Sequence, residues 1–227
     1  MILISINDII DAEFIMLIDI EGTDGSGKAV QTKKLFDYLV NKGYKCRLIS
    51  FPNYDSPSSE PVKMYLAGEI KSDLDGYQNS ALFAVDRLIT MNNGIDINDY
   101  DFVLFDRYVP SNMIHQSTKM NNYAEIDSFI DWVADFEYGK LKLPKPDKII
   151  FLDNPPKYSI QLARARSELK NKKEKDILES DDSHIRLAYE RAKYIAKKFD
   201  WIHINCVDKS LKSIEQIHKE ILTKLGL

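Results

Sequence analysis

The chain has 227 residues, 44% hydrophobic and 29% charged, with a formal net charge of −4. That is the composition of a globular protein with room for one substantial core, and its acidic balance excludes a general attraction to nucleic acid or anionic membrane. Cys46 and Cys206 are isolated and His115, His184, His203 and His218 are scattered, so a disulfide framework and a zinc site are both unsupported and a reducing, cytoplasmic setting fits best.

Residues 1–227 read as a single domain. Residues 1–13 carry Asp8, Asp11 and Glu13 but no Lys or Arg, which is unlike a secretory signal. They read as an extension before the first strand. No apolar run approaches the roughly 18 residues that span a bilayer.

Residues 14–20 form an apolar run followed, after Glu21, by Gly22-Thr23-Asp24-Gly25-Ser26-Gly27-Lys28 and then by a helical pattern. Strand, glycine-rich turn, lysine and helix are the context in which G-x-x-x-x-G-K cradles phosphate. The glycines let successive N–H groups turn inward, the helix adds its positive end, and Lys28 supplies a point charge. The chain is therefore expected to bind a nucleoside triphosphate through Gly22, Thr23, Gly25, Ser26, Gly27, Lys28 and the Ala29 backbone. Two positions are unusual. Ala29 and Val30 stand where a metal-ligating hydroxyl commonly lies, and Asp24 sits inside a loop meant for anions. Its carboxylate should point outward, towards an acceptor or a metal-bound water.

The helix over residues 28–40 places Leu35, Phe36, Leu39 and Val40 towards a sheet and ends at Gly43. A strand over 45–51 stops at Pro52, a Ser/Pro/Asp-rich loop follows over 53–61, and a short helix ends at Gly68. In the helix over 78–92, Leu82, Val85 and Ile89 share one face, while Phe83 and Arg87 emerge four residues apart on its flank. A core Phe and a solvated Arg are the plain alternative. Residues 102–106 are an apolar run ending in Asp106, followed by Arg107, a charged pair where α/β sheets bind ligands. The helix over 124–137 buries Ile126, Phe129, Ile130 and Val133 and reads as purely structural. A strand over 148–152 leads through Pro155-Pro156 into a helix over 156–165.

Six basic residues then fall within twelve, Arg164, Arg166, Lys170, Lys172, Lys173 and Lys175, followed by Asp176, Glu179, Asp181 and Asp182. Such a segment cannot bury itself. Residues 166–182 are either a solvated loop or a cationic lid over phosphate. A helix striped by Ile185, Ala188, Tyr189, Ala192, Ile195, Ala196 and Phe199 follows, then a strand over 201–206. A final helix carries Leu211, Ile214, Ile217, Ile221 and Leu225 on one side. About five strands alternating with helices give a three-layer α/β fold, a parallel sheet with helices on both faces.

The phosphate loop, Phe51-Pro52, Phe83-Ala84-Val85-Asp86-Arg87, Asp106-Arg107-Tyr108, the Leu152-Asp153-Asn154-Pro155-Pro156 exit and the basic segment occur in an order and spacing that resembles the thymidylate kinases. The stretch from Phe51-Pro52-Asn53-Tyr54 to Val62-Lys63-Met64-Tyr65-Leu66 looks like a bacterial branch of that family. The resemblance implies a P-loop NTPase fold with a lid, transfer of the ATP γ-phosphoryl to dTMP, ATP and Mg²⁺ as cofactors, and a homodimer packed through helices. It also implies site roles. Phe83 stacks on the thymine, Arg87 holds the base's carbonyl region, and Asn112 and Gln116 complete the pocket. His115 replaces a tyrosine beneath the sugar, and Phe51 and Pro52 line the opposite wall. Arg107 bridges the acceptor phosphate with Asp24. The catalytic arginine comes from the lid, Arg166 first, with Arg164 and Lys170 behind it. Asp106 is the main metal candidate, with Asp24 and Glu179. Competing readings are a kinase for dUMP, dCMP or a deoxynucleoside, and a nucleotide-binding paralogue without turnover. A nucleic-acid motor lacks a basic stripe outside the lid.

Overall fold

The computed structural model describes residues 15–70, 73–169 and 182–227, the side chains of 166–169 excepted. The expected extension over 1–13 and most of the expected lid lie outside the described residues, as do Lys170 and Glu179 and the side chain of Arg166.

Five strands, β1 (Met16–Glu21), β2 (Cys46–Ser50), β3 (Phe102–Asp106), β4 (Lys148–Asp153) and β5 (Ile202–Asn205), pair in parallel in the order β2-β3-β1-β4-β5. The expected three-layer architecture is present. One face of the sheet is covered by α1 (Lys28–Asn41) and α8 (Ile214–Leu225). Leu35, Leu39, Ile217, Ile221 and Leu225 pack there on Ile18, Ile20, Leu104 and Ile150. The other face carries α3 (Gly76–Asn92), α4 (Val109–Gln116), α5 (Tyr123–Ala134) and α7 (Asp182–Lys198). Phe129, Ile130, Ile114, Ala192 and Ile195 close over Leu17, Val103 and Phe105 there. Short α2 (Glu60–Leu66) and α6 (Pro156–Leu169) complete the set. With both faces covered, strands read as continuous apolar runs rather than alternating ones, which is the pattern the sequence displays.

Three departures bear on the site. The short helix α4, begun by Pro110 in its first turn, was not anticipated, because eight residues give too little periodicity to read. In α3 the face bearing Val85 and Ile89 is outward (43% and 44% exposed), while Asn79, Ser80, Asp86 and Arg87 are buried. A polar face turned inward means that polar partners wait inside. The expected helix over 124–137 ends at Ala134 and continues as a π-helical turn, Asp135–Lys140, in which Glu137 is fully buried. Phe199 is exposed rather than part of the α7 stripe.

Candidate active site

The phosphate loop leaves the carboxyl end of β1, the central strand, where the chain passes from β1 towards the β2 edge while the adjacent β3 passes it the other way to β4. Such a point is where open α/β sheets hold ligands. Gly25 has φ +76°, and a Cβ there would meet the Ser159 carbonyl of α6 at 2.0 Å, so the loop takes this course only with glycine. Gly27, at φ 92°, precedes the first turn of α1. Asn154 Nδ2 donates to the Gly25 carbonyl at 3.3 Å, and the Thr23 and Ser159 hydroxyls lie 3.4 Å apart. The β4 exit therefore braces the loop from behind. Ser26 Oγ is buried without a partner among the described residues, a donor left over for a ligand. Lys28 folds back and donates to the Thr23 carbonyl at 2.7 Å. Burial, with Arg107 nearby, pushes its ammonium down to about 8, against the pull of Asp24, Asp106 and Glu21.

The register Ile20↔Asp106 sets the β3 exit beside the loop. Arg107 has φ 67°, a left-handed backbone that turns its side chain back over the site. Its Nη2 pairs with Asp24 Oδ1. Burial alone would raise Asp24, but the charges of Arg107 and Lys28 outweigh it and hold the carboxyl well below the usual range. Arg107 Nη1 lies 2.9 Å from His115 Nε2, and His115 Nδ1 lies 3.3 Å from His184 Nε2. Asp106 ends its strand half-buried, and no hydrogen bond reaches its carboxylate from the described residues.

Glu21, unremarked in the sequence, anchors this arrangement. Its carboxylate is buried and accepts from the Tyr108 backbone N–H at 3.1 Å and from Ser111 Oγ at 2.8 and 2.9 Å. A carboxylate at the start of α4 meets the unsatisfied N–H groups and positive end of that helix. It thereby fixes where Arg107, one residue earlier, stands. Its sequence signal was an acid directly before the first loop glycine.

Arg87 is not solvated and does not lie at the surface beside Phe83. It is 2% exposed, with Nε and Nη2 bound to the two Glu137 carboxylate oxygens at 2.6 and 2.7 Å. Asn112 Nδ2 donates to the same Glu137 at 2.8 Å and to the Ser80 carbonyl at 3.1 Å. Arg87 and Asn112 are thus brought together by Glu137, which sequence reasoning had left in a structural helix. Its signal was positional, since Glu137 continues the stripe Ile126, Phe129, Ile130, Val133 by one further turn. Phe83 is half-buried and edge-on to Tyr65 at 6.4 Å. Phe51, expected on a pocket wall, is a core residue packed against Phe105 and Tyr108, leaving Pro52 as the half-buried part of that pair. Gln116 is buried at the end of α4. Arg164 lines a groove on α6 with Lys157, Ile160 and Gln161 and pairs with Asp182 at 2.6 Å.

Among the described residues no set of three or more His, Cys, Asp or Glu side chains is arranged to hold a metal ion, and no helix is long and apolar enough to cross a membrane.

A family model described as thymidylate kinase matches residues 20–221. The chain is 31% identical over 170 residues to a thymidylate kinase of Mycobacterium tuberculosis (strain H37Rv), covering 73% of this chain and 78% of that one. It is 28% identical over 212 residues to a thymidylate kinase of Plasmodium falciparum, covering 90% and 87%. To a probable thymidylate kinase of Pyrococcus horikoshii it is 30% identical over 213 residues, covering 89% and 92%.

Proposed function

The chain belongs to the thymidylate kinase family and phosphorylates dTMP at the expense of ATP, and from that premise we propose a role for each part of the site. The observation that carries the reading is the Asp24–Arg107 pair beside the phosphate loop. It is a cation held at the rim of a triphosphate cradle, with a planar fork suited to a second phosphate. The loop amides and Lys28 take the ATP phosphates. Arg107 takes the dTMP phosphate, and Asp24 aims it and lies towards the sugar 3′-hydroxyl. Phosphoryl transfer demands in-line positioning and neutralised charge more than a strong base, because the attacking phosphate oxygen is already anionic. Arg166, with Arg164 and Lys170, is proposed for the transferred group on the resemblance alone.

For the base we propose Phe83 as the stacking surface and the Arg87 end not engaged by Glu137, with Asn112 and Gln116, as the polar edge. Glu137 is the residue that keeps this edge rigid.

Mg²⁺ binding fits the donors present, since Mg²⁺ uses one or two carboxylates, retained waters and the substrate phosphates, and Asp106 has a carboxylate that no described residue engages. Asp106 would hold the ion, which would supply charge neutralisation at the phosphate oxygens. Asp24, already bound by Arg107, is the weaker of the two candidates. We further propose a single-domain cytoplasmic homodimer in which the outward Val85 and Ile89 of α3 face a second copy.

The test is ADP release with ATP, Mg²⁺ and a panel of nucleosides and monophosphates. Turnover with dTMP, abolished by Lys28→Ala and with the dTMP KM raised about 100-fold by Arg107→Ala, the worth of a buried charge-assisted contact, is expected. Turnover of free thymidine but not dTMP would refute the acceptor-phosphate assignment.

A further inference from the structure

Arg107 Nη1 donates to Ser111 Oγ at 3.4 Å, and two closer side chains grip the guanidinium. Asp24 holds Nη2, and the second grip is an imidazole, His115, backed by another, His184. The two rings are nearly parallel, with centroids 5.6 Å apart and planes at 23°. His115 comes from the last turn of α4 and His184 from the first turn of α7, so the contact ties two helices to one guanidinium.

The proton positions in this chain follow from what each group can do. A guanidinium only donates. At 2.9 Å, His115 Nε2 must therefore accept and cannot carry a proton. His115 is then neutral with its hydrogen on Nδ1, and that hydrogen points at His184 Nε2, 3.3 Å away. His184 Nε2 accepts in turn. Charge and burial agree with this order. His115 is buried, and burial together with the Arg107 charge holds its imidazole well below the usual histidine range, against the pull of Asp24 and with His184 and Lys28 adding to the depression. Without an acceptor on Nδ1, His115 is free to take the other tautomer, whose Nε2–H meets the Arg107 N–H head-on.

We propose that His184 is a positioning residue for the reaction: by accepting the Nδ1 proton of His115 it fixes the tautomer that receives Arg107, and so aims the guanidinium at the acceptor phosphate. The inference rests on the reading of Arg107 as the acceptor-phosphate residue. It gives His115 a part different from the sugar contact its sequence position suggests, and it brings in a residue that no motif marks.

The test has one arm free of activity. In the intact ¹⁵N-histidine-labelled protein at neutral pH, long-range ¹H–¹⁵N spectra should show His115 neutral with the proton on Nδ1. In His184→Leu the same ring should shift towards the Nε2–H form. Kinetically, His184→Leu should raise the dTMP KM about tenfold with the ATP KM and the thermal midpoint unmoved, while His184→Gln, whose amide oxygen can accept, should stay within about twofold of the parent. An Nε2–H or charged His115 in the parent overturns the proposal. So does a parental dTMP KM in His184→Leu, or equal losses in the Leu and Gln variants. Arg107→Ala separates the levels. If it spares the dTMP KM, the acceptor-site reading falls and this inference with it. If Arg107→Ala weakens dTMP and His184→Leu does not, only the inference falls.

Discussion

Asp19 stands in the middle of β1 with no exposed surface, and neither of its carboxylate oxygens has a partner among the described residues. Tyr108 Oη, on the same side of the sheet, is likewise buried and unpartnered. Burial, with Glu21 and Asp106 nearby, pushes the Asp19 carboxyl well up, against the opposing charges of Arg87 and Arg107. A carboxyl raised by folding binds a proton that the unfolded chain gives up. Its contribution to stability is therefore present in acid and is lost as pH rises through the raised value. Asp19→Asn removes that titration, so its stability relative to the parent should improve from about pH 5 to about pH 8 in urea unfolding, by roughly 1–3 kcal/mol, the cost of a buried unsatisfied polar group. Equal pH slopes for the two proteins would refute this. Ala29 supports a second prediction at this scale. Restoring a hydroxyl with Ala29→Ser should lower the Mg²⁺ concentration that gives half-maximal rate, and an unchanged value would show that Asp106 and water suffice.

At the scale of elements, the π-helical turn after α5 is the device on which α3 and α4 converge. Glu137 in that turn is buried in the core, where it receives Arg87 from α3 and Asn112 from α4. A buried pair adds little over an apolar replacement, but losing one partner strands the other charge. Glu137→Ala should therefore cost about 3–5 kcal/mol in chemical unfolding. Glu137→Gln keeps the shape and two polar atoms and should cost less while still raising the dTMP KM, since Arg87 loses its counter-charge. A stable Glu137→Ala protein would show that Arg87 finds another partner. This network also accounts for the inverted polarity of α3, whose Asp86 accepts from the Asn53 N–H at 2.8 Å and from Ser58 Oγ at 2.6 Å and so ties down the segment between β2 and α2. The helix turns its polar side inward because three separate polar partners are there.

Across the whole molecule, the side of α3 left outward carries Val85 and Ile89 exposed one turn apart. Apolar side chains set out in this way are better covered than solvated. A charge at the centre of such a contact weakens association steeply, so Ile89→Lys should shift the sedimentation behaviour from dimer to monomer with the fold intact. A parent that is monomeric at all concentrations would remove the dimer from the reading. The same scale separates what each kind of information determined. The sequence alone set the strands, the helices on both faces and the phosphate loop, because these follow from local rules: a continuous apolar run for a strand covered on both sides, the 3.6-residue stripe of α5 and α8, and a G-x-x-x-x-G-K spacing between strand and helix. It also marked Asp24, Lys28, Asp106 and Arg107 as candidates, since each lies on or close to a strand end where the fold must gather its chemistry. It did not reveal Glu21 as the anchor of α4, Glu137 as the partner of Arg87 50 residues away, or His184 behind His115 at 69 residues. Nor did it separate Phe51 as core from Pro52 as half-buried. Those are pairings across space, and only the tertiary structure decides them, because a side chain's charge and proton are set by what the fold brings against it rather than by its neighbours in the chain.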